Sequence, residues 1–385
     1  MDYSKIEWTD RTWNGHRICT PVSPACANCY AAALAKRTGA GEYKSGVPRL
    51  RTSDTNWRKP LQWQKAAYRF SECLNCHWRG DPCHPGEGLP KAAQVPRDQF
   101  NTLDISCPKC GAGGSLYQVR QRVFSDSLSD WLDDEAPIEW LADRLNLIAN
   151  TPDLDWLLLT KRPELWLQQI MGARDFMMAH IYRGADCDTA SMMLNWENGP
   201  FSAFREHVMS LSVEQAQEYA KSHSEGLALA CGWLRSEVED SDDIPPPNVW
   251  FGFTGENQHW FDHRWKVVKD IPARVHFCSY EPACGPLVLP PDFLEMGSHA
   301  WLIAGGESGA GRDSRPIQPE WARSLRKQCA AAGVPFLFKQ WGHWHPDPDS
   351  PDPQPLVWSP KDVAGRNLDG VTWDESPIPR AEAPA

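Results

Sequence analysis

Six near-continuous apolar runs constrain this chain more than any other feature. They are Val123–Asp126, Trp156–Lys161, Val249–Phe253, Val275–Glu281, Trp301–Glu307 and Pro335–Gln340, and most end in polar residues. A strand covered on both faces reads this way, because neither face meets water. Between the runs lie amphipathic stretches such as 136–149 and 319–332, the latter opening at Pro319-Glu320 and closing near Gly333. Pro just inside a helix start and Gly just past its end are the expected punctuation. Strand–helix alternation of this kind predicts an α/β barrel or partial barrel over 1–69, 119–165 and 246–345. Chemistry in such folds collects where the strands end. The candidate site is therefore Ser125, Asp126, Lys161, Glu256, Glu281, Glu307, Lys339 and Gln340. Carboxylates there can hold a cofactor or a substrate amine, and Lys161 can meet a carboxylate or phosphate. The competing reading is a buried ion-pair network that closes the barrel.

Two segments break the rhythm. Residues 70–118 are rich in Cys, Gly and Pro, and 166–245 read as acidic helices over Leu167–Met178 and Val213–Arg235. Both are expected to be insertions, and 346–385, rich in Pro and Asp, reads as a loose tail. The net charge of −11 argues against a uniformly basic nucleic-acid binder. Residues 1–69 nevertheless carry twelve Lys/Arg against five Asp/Glu, and 165–245 carry thirteen acids against five bases. Segregation of this kind can give one face a positive field on an anionic molecule. No apolar stretch is long enough to span a bilayer and the first residues lack a signal-peptide pattern, so a soluble, cytoplasmic protein is expected.

Thirteen cysteines in such a chain point to metal or redox work more than to a disulfide scaffold. Cys19, Cys26 and Cys29 are spaced C-x6-C-x2-C between an expected short strand, Ile6–Thr9, and an expected helix, Cys26–Lys36. Three thiolates can hold three irons of a [4Fe–4S] cluster and leave the fourth open. The alternative is structural zinc with His16 as fourth ligand. Cys73-x-x-Cys76 and Cys107-x-x-Cys110 are paired knuckles suited to tetrahedral zinc, with an auxiliary iron–sulfur cluster as the other option. His77, Cys83 and His84 are spare ligands nearby. The knuckles either staple a small insertion or, with Trp78, Arg79, Arg120 and Arg122, help grip a nucleic acid. Cys187, Cys231, Cys278, Cys284 and Cys329 read as small buried hydrophobes. Most Trp residues read as core, while Trp13, Trp57, Trp63 and Trp341 are candidates for stacking on a base.

The chain resembles a phage-associated family with a three-cysteine motif, related to the radical S-adenosylmethionine (SAM) superfamily. The matching stretches are Ser4–Asp10, Cys19–Tyr30, Leu159–Pro163, Gly255–Asn257, Glu281-Pro282, Gly305–Gly309 and Phe338–Gly342. The resemblance implies a partial TIM-like radical SAM barrel, a SAM-bound [4Fe–4S] cluster at Cys19, Cys26 and Cys29, and a 5′-deoxyadenosyl radical. Zn2+ is the third expected cofactor. The first cysteine interval is three residues longer than the superfamily's usual spacing. Gly305-Gly306-Glu307 also lies late in the chain, so the superfamily's SAM amino-group role is not carried over to it. On this reading Lys161, Glu256, Glu281 and Glu307 are catalytic candidates, and Tyr30, Ser125, Asp126, Gly305, Gly306 and Gln340 are cofactor-binding candidates.

The expected activity is radical modification or rearrangement of a nucleic-acid base, with an electron donor such as flavodoxin or ferredoxin and no membrane partner. The phage association, the basic N-terminal segment and the knuckles motivate DNA as partner. Within that class the expectation is isomerisation of the aminoacyl substituent of a hypermodified thymine in phage DNA, in the cytoplasm of an infected host. Photoproduct-lyase-like pyrimidine repair is the nearest competitor. A zinc-dependent nucleic-acid-binding module without catalysis, and a radical SAM enzyme on a peptide or small metabolite, are the other two readings.

Overall fold

The computed structural model describes residues 3–73, 75–76, 78–82, 106–184, 210–235, 246–309, 311–350 and 355–377. Seven strands run in chain order: β1 (Arg11–Trp13), β2 (Gln121–Ser125), β3 (Leu154–Thr160), β4 (Val249–Thr254), β5 (Val275–Tyr280), β6 (Ala300–Gly305) and β7 (Phe336–Gln340). Each pairs with the next and all pairs are parallel, so every connection must cross back over the sheet. The sheet curls into a half-barrel compatible with a partial TIM-like fold. Its strands are buried on both faces, which is why β2 to β7 read as apolar runs.

Side-chain parity divides the sheet into an inner and an outer core. Phe124, Leu157, Trp250, Phe277, Trp301 and Leu337 point inward around Trp8. Trp8, Trp250 and Trp301 are each at most 2% exposed, so they plug the lower half of the barrel. Truncating one of them to Ala removes roughly 3–5 kcal/mol. Further along the same inward-facing rows are Asp126, Leu159, Thr254, Ser279 and Lys339, and these line a cavity instead. The cavity therefore sits on an aromatic plug at the carboxyl ends of the strands.

The outer core is covered by helices α1 (Tyr30–Thr38), α2 (Ile138–Ala149), α3 (Trp166–Gly184), α4 (Val213–Ser222), α5 (Ser224–Arg235), α6 (Gln258–Val268) and α7 (Pro319–Ala332). Helix α7 has Pro319 at its start and ends on Gly333 at φ 69°, a left-handed turn that Gly makes without strain. Helix α6 is capped by Asn257, whose side chain accepts from Trp260 N at 3.1 Å. Over 166–235 the described helices share the barrel's own core through Trp166, Ile170, Phe176 and Trp233, so they thicken its wall. The single helix expected over Val213–Arg235 is two, broken at His223. There the imidazole stacks on Tyr219 at 3.8 Å and meets Asp143 Oδ1 at 2.9 Å.

Three further expectations need correcting. The first strand is Arg11–Trp13, not Ile6–Thr9. Ile6–Thr9 instead forms a turn closed by Thr9 N to Ile6 O, and it drops Trp8 into the barrel. The first helix begins at Tyr30, because Pro24–Cys26 is a short 3-10 turn and Cys29 is still extended. The tail expected from 346 onward is tied down over its described part. Phe338 N donates to Trp373 O at 3.0 Å, Phe336 N to Glu375 Oε2 at 2.9 Å, and the Trp301 indole to Glu375 O at 2.9 Å. Among the described residues no helix is long and apolar enough to cross a membrane.

Candidate functional site

The loop after β1 carries Cys19, Cys26 and Cys29 over the mouth of the half-barrel, where all three line one cavity of about 430 Å3. The same three thiols also border a second hollow of about 440 Å3 with Pro21, Ser23, Ala27, Ala32 and Tyr43. There is thus open space on both sides of them. Ile18, immediately before Cys19, has φ 74°, and Asp126, in the cavity wall, has φ 65°. A β-branched residue in that region is strained, and such strain gathers at sites that need a fixed geometry.

The loop is held from two sides. At its start, the Arg162 guanidinium donates to Thr20 O and meets Asp130 Oδ2 at 3.0 Å, while Arg49 donates to Thr20 Oγ1 at 2.7 Å. At its far end, Glu307 Oε2 accepts from Asn28 Nδ2 at 2.8 Å and from Arg315 N at 2.8 Å. The Arg315 side chain pairs with Glu307 and reaches Pro24 O at 3.0 Å. Burial alone would raise the Glu307 carboxyl, but the hydrogen bonds from Arg315 and Asn28 hold it below its ordinary range. Gly309 passes so close that a Cβ there would lie 2.1 Å from Asn28 O. The loop from β1 is therefore latched to the β6 end of the sheet.

Of the sequence candidates, Tyr30, Asp126, Lys161, Glu281, Gly306 and Glu307 line the cavity with the three cysteines, and so does Lys339. Glu281 accepts from Lys339 Nζ at 2.8 and 2.6 Å and from Gln340 Nε2 at 2.7 Å. Lys161 makes no side-chain hydrogen bond or ion pair among the described residues. Burial works against its charge, yet Cys26, Asp130, Cys29 and Cys19 hold its pKa above the ordinary lysine value. Ser125, Glu256, Gly305 and Gln340 lie behind the cavity wall. Glu256 is fully buried against Arg264 at 2.6 Å, and its Oε1 accepts from Ala25 N at 3.4 Å. Ser125 donates to Asp126 Oδ2 at 2.7 Å, and the Gly305 backbone backs onto Glu281. Sequence reasoning missed Lys361, Thr254 and Ser279, which line the cavity, and Arg315, which pairs with Glu307 behind the loop. The Arg315–Glu307 pair lies only eight residues apart and was the one detectable signal.

His16 is not brought to the thiols. It is 1% exposed, packs on Trp140 at 5.9 Å, and belongs to no group of ligand atoms within 4.8 Å among the described residues. Burial pushes its pKa down to about 4, with Asp126 opposing. A histidine whose folded pKa lies below its unfolded value takes up protons on unfolding. Stability should therefore fall as the pH drops from about 6.5 to about 4. The expected loss between pH 7.5 and pH 5 is about 2 kcal/mol, read from urea midpoints. His16→Gln should flatten that slope, and an unchanged slope would contradict the assignment.

The other four thiols form a different kind of site. Cys73, Cys76, Cys107 and Cys110 bring their Sγ atoms within 4.8 Å of one another. The Cys73–Cys110 and Cys76–Cys107 separations are 3.7 and 3.6 Å. Tetrahedral zinc with bonds of about 2.3 Å sets its thiolates roughly 3.8 Å apart, so the set fits a single zinc-like ion. His77, Cys83, His84 and Cys187 lie outside the described residues. A small antiparallel sheet of Ser71–Cys73, Arg79–Gly80 and Leu116–Gln118 carries the knuckles. Arg79 fastens that sheet to the barrel, reaching Asp10 Oδ1 and Oδ2 at 3.1 and 3.0 Å, Arg120 O at 2.8 Å, and Glu72. These anchors lie at the amino ends of β1 and β2, opposite the cavity. The double variant Cys73→Ser/Cys76→Ser is expected to lower Tm by roughly 5–10 °C. An unchanged Tm would show that no metal holds this sheet.

The three thiols at the mouth are spaced differently: they form no set within 4.8 Å of one another. At least one pair is therefore wider than a single tetrahedral ion asks for. A cubane cluster, which presents a separate iron to each thiolate, asks for wider spacing.

An all-parallel half-barrel with a three-thiol loop at the carboxyl ends of its strands and a four-thiol knuckle at the other end defines an α/β scaffold with an open cavity and a four-cysteine group that could hold a metal ion. The chain belongs to the family described as "Protein of unknown function (DUF5131)", whose model matches residues 3–377. No curated protein and no solved structure matches it.

Proposed function

We propose that this chain is a radical SAM enzyme that modifies or rearranges a nucleic-acid base. The observation that carries the reading is the placement of Cys19, Cys26 and Cys29. They come from one loop, line one cavity at the strand ends, and do not gather into the compact set that a single ion would take. The residues fit the group: these thiols would hold three irons of a [4Fe–4S] cluster, and the cavity leaves the fourth open to SAM. When bound, cluster and cosubstrate supply one-electron chemistry able to take a hydrogen atom from an unreactive carbon.

The chain's own residues do the rest. Lys161, whose ammonium has no partner among the described residues, can meet a carboxylate or phosphate. The Glu281–Lys339 pair can take up or deliver a proton at Glu281 Oε1 or Lys339 Nζ. Lys361 sets a further positive charge at the cavity wall. All eleven described cysteines are free, which suits a reducing, cytoplasmic setting. Within the base-modifying class we favour isomerisation of an aminoacyl substituent on a hypermodified thymine, with flavodoxin or ferredoxin as the electron source. A duplex base would have to be flipped to reach this cavity.

The test is anaerobic iron, sulfide and zinc analysis, with electron paramagnetic resonance of the reduced protein with and without SAM. About four irons and one zinc per chain, with a spectrum that shifts on adding SAM, is the expected result. Zinc alone after reconstitution would overturn the reading and leave a zinc-dependent nucleic-acid-binding module.

A further inference from the structure

We infer that Thr254 and Ser279 form the polar edge of a subsite for a planar, uncharged heterocycle, of the nucleobase type, on the floor of the cavity. The inference rests on the proposed function only for the source of that ring. Thr254 ends β4 and Ser279 lies in β5, and the two are direct register partners on adjacent strands. They are 1% and 3% exposed, and both line the cavity. Neither hydroxyl has a hydrogen-bond partner among the described residues, and neither oxygen is sealed from the cavity. Adjacent strands lie about 4.8 Å apart, comparable with the separation of polar atoms along one edge of a nucleobase. A hydroxyl both donates and accepts, so this pair can meet either kind of ring atom.

The wall beside them is apolar: Ile6, Trp8, Phe124 and Leu159 line the same cavity. A flat ring can lay its face on such a wall while its edge reaches the hydroxyls, the division of labour by which proteins hold unstacked bases. A charged group is better served elsewhere, because Lys161 and the Glu281–Lys339 pair already supply ionic partners. The ring can come from the adenine of the cosubstrate or from the base being modified.

The test uses the full chain with Thr254→Val and Ser279→Ala, singly and together, which remove the hydroxyls with little change of shape. The probes are S-adenosylhomocysteine and thymidine, titrated by calorimetry, with circular-dichroism melting as the check on folding. The double variant is expected to melt like the parent and to bind one probe about tenfold more weakly. Loss confined to S-adenosylhomocysteine assigns the subsite to the cosubstrate, and loss confined to thymidine assigns it to the substrate base. Unchanged affinity for both, or binding of neither by the parent, overturns the inference. Iron analysis of the same preparations separates the two ideas. Hydroxyl-dependent binding in a chain that takes up no iron would sink the radical reading and leave the base subsite standing.

Discussion

Glu307→Ala should strip iron from the three-thiol loop while leaving the barrel folded. The carboxylate is 4% exposed and accepts from Asn28, from the Arg315 backbone and from the Arg315 side chain. It ties the Cys26–Cys29 arm to the end of β6, some 280 residues further along the chain. Without it, Asn28 and Arg315 lose a charge-assisted acceptor, and the arm is free to move relative to Cys19. Iron per chain after reconstitution should fall at least tenfold, whereas Tm should shift by no more than about 5 °C. A second measurement needs no iron. In the metal-free protein the latch restrains the arm that carries Cys26 and Cys29, so a mild oxidant should join thiols of the loop into a disulfide at least tenfold faster in Glu307→Ala than in the parent. Glu307→Gln, which can still accept from Asn28, should lie between the two. Equal oxidation rates in all three proteins would show that Glu307 does not position the loop.

Asp10→Asn should be among the most destabilising single changes away from the cavity. Asp10 is 8% exposed and bonds Arg79 through both oxygens. It also accepts from Arg122 N at 2.8 Å. Burial raises its pKa, but Arg79 and Arg122 more than offset that and hold it down to about 2. A depressed folded pKa contributes stability above the unfolded value near 3.8, lost as the pH falls toward about 2. Neutralising the carboxylate leaves two buried guanidinium groups with one fewer counter-charge, at a cost of about 3–5 kcal/mol. The urea midpoint at pH 7 should drop accordingly, and the difference between variant and parent should shrink toward pH 2. A variant within about 1 kcal/mol of the parent at pH 7 would show that the seam between knuckles and barrel is not held by this pair.

Much of this architecture was legible in the runs themselves, because a strand buried on both faces has no polar face to hide it. β1 escaped because it is short and carries Arg11. That side chain is buried where it stacks 4.0 Å over Tyr3 and donates to Gln121 Oε1 at 2.9 Å. The cysteines and the strand-end carboxylates were readable as candidates, but their division of labour was not. Glu281 faces the cavity and Glu256 does not, and the difference lies in Arg264 on α6 claiming the latter. The glycines after β6 read as room for a ligand. At Gly306 a Cβ would instead lie 1.9 Å from Trp341 O, so the small residue makes room for backbone. Thr254 and Ser279 were invisible, since a hydroxyl in an apolar run announces nothing until its neighbours leave it unpartnered.

The segment 373–375 laid along β7 has a consequence beyond local packing. A barrel that stops halfway is a sheet with two raw borders, and each border is a template on which a second molecule can grow. On one side the border is only three residues long. On the other, the chain folds its own later residues over the donors of Phe336 and Phe338. The half-barrel thus keeps its mouth open to a guest while its seam is closed to its own kind.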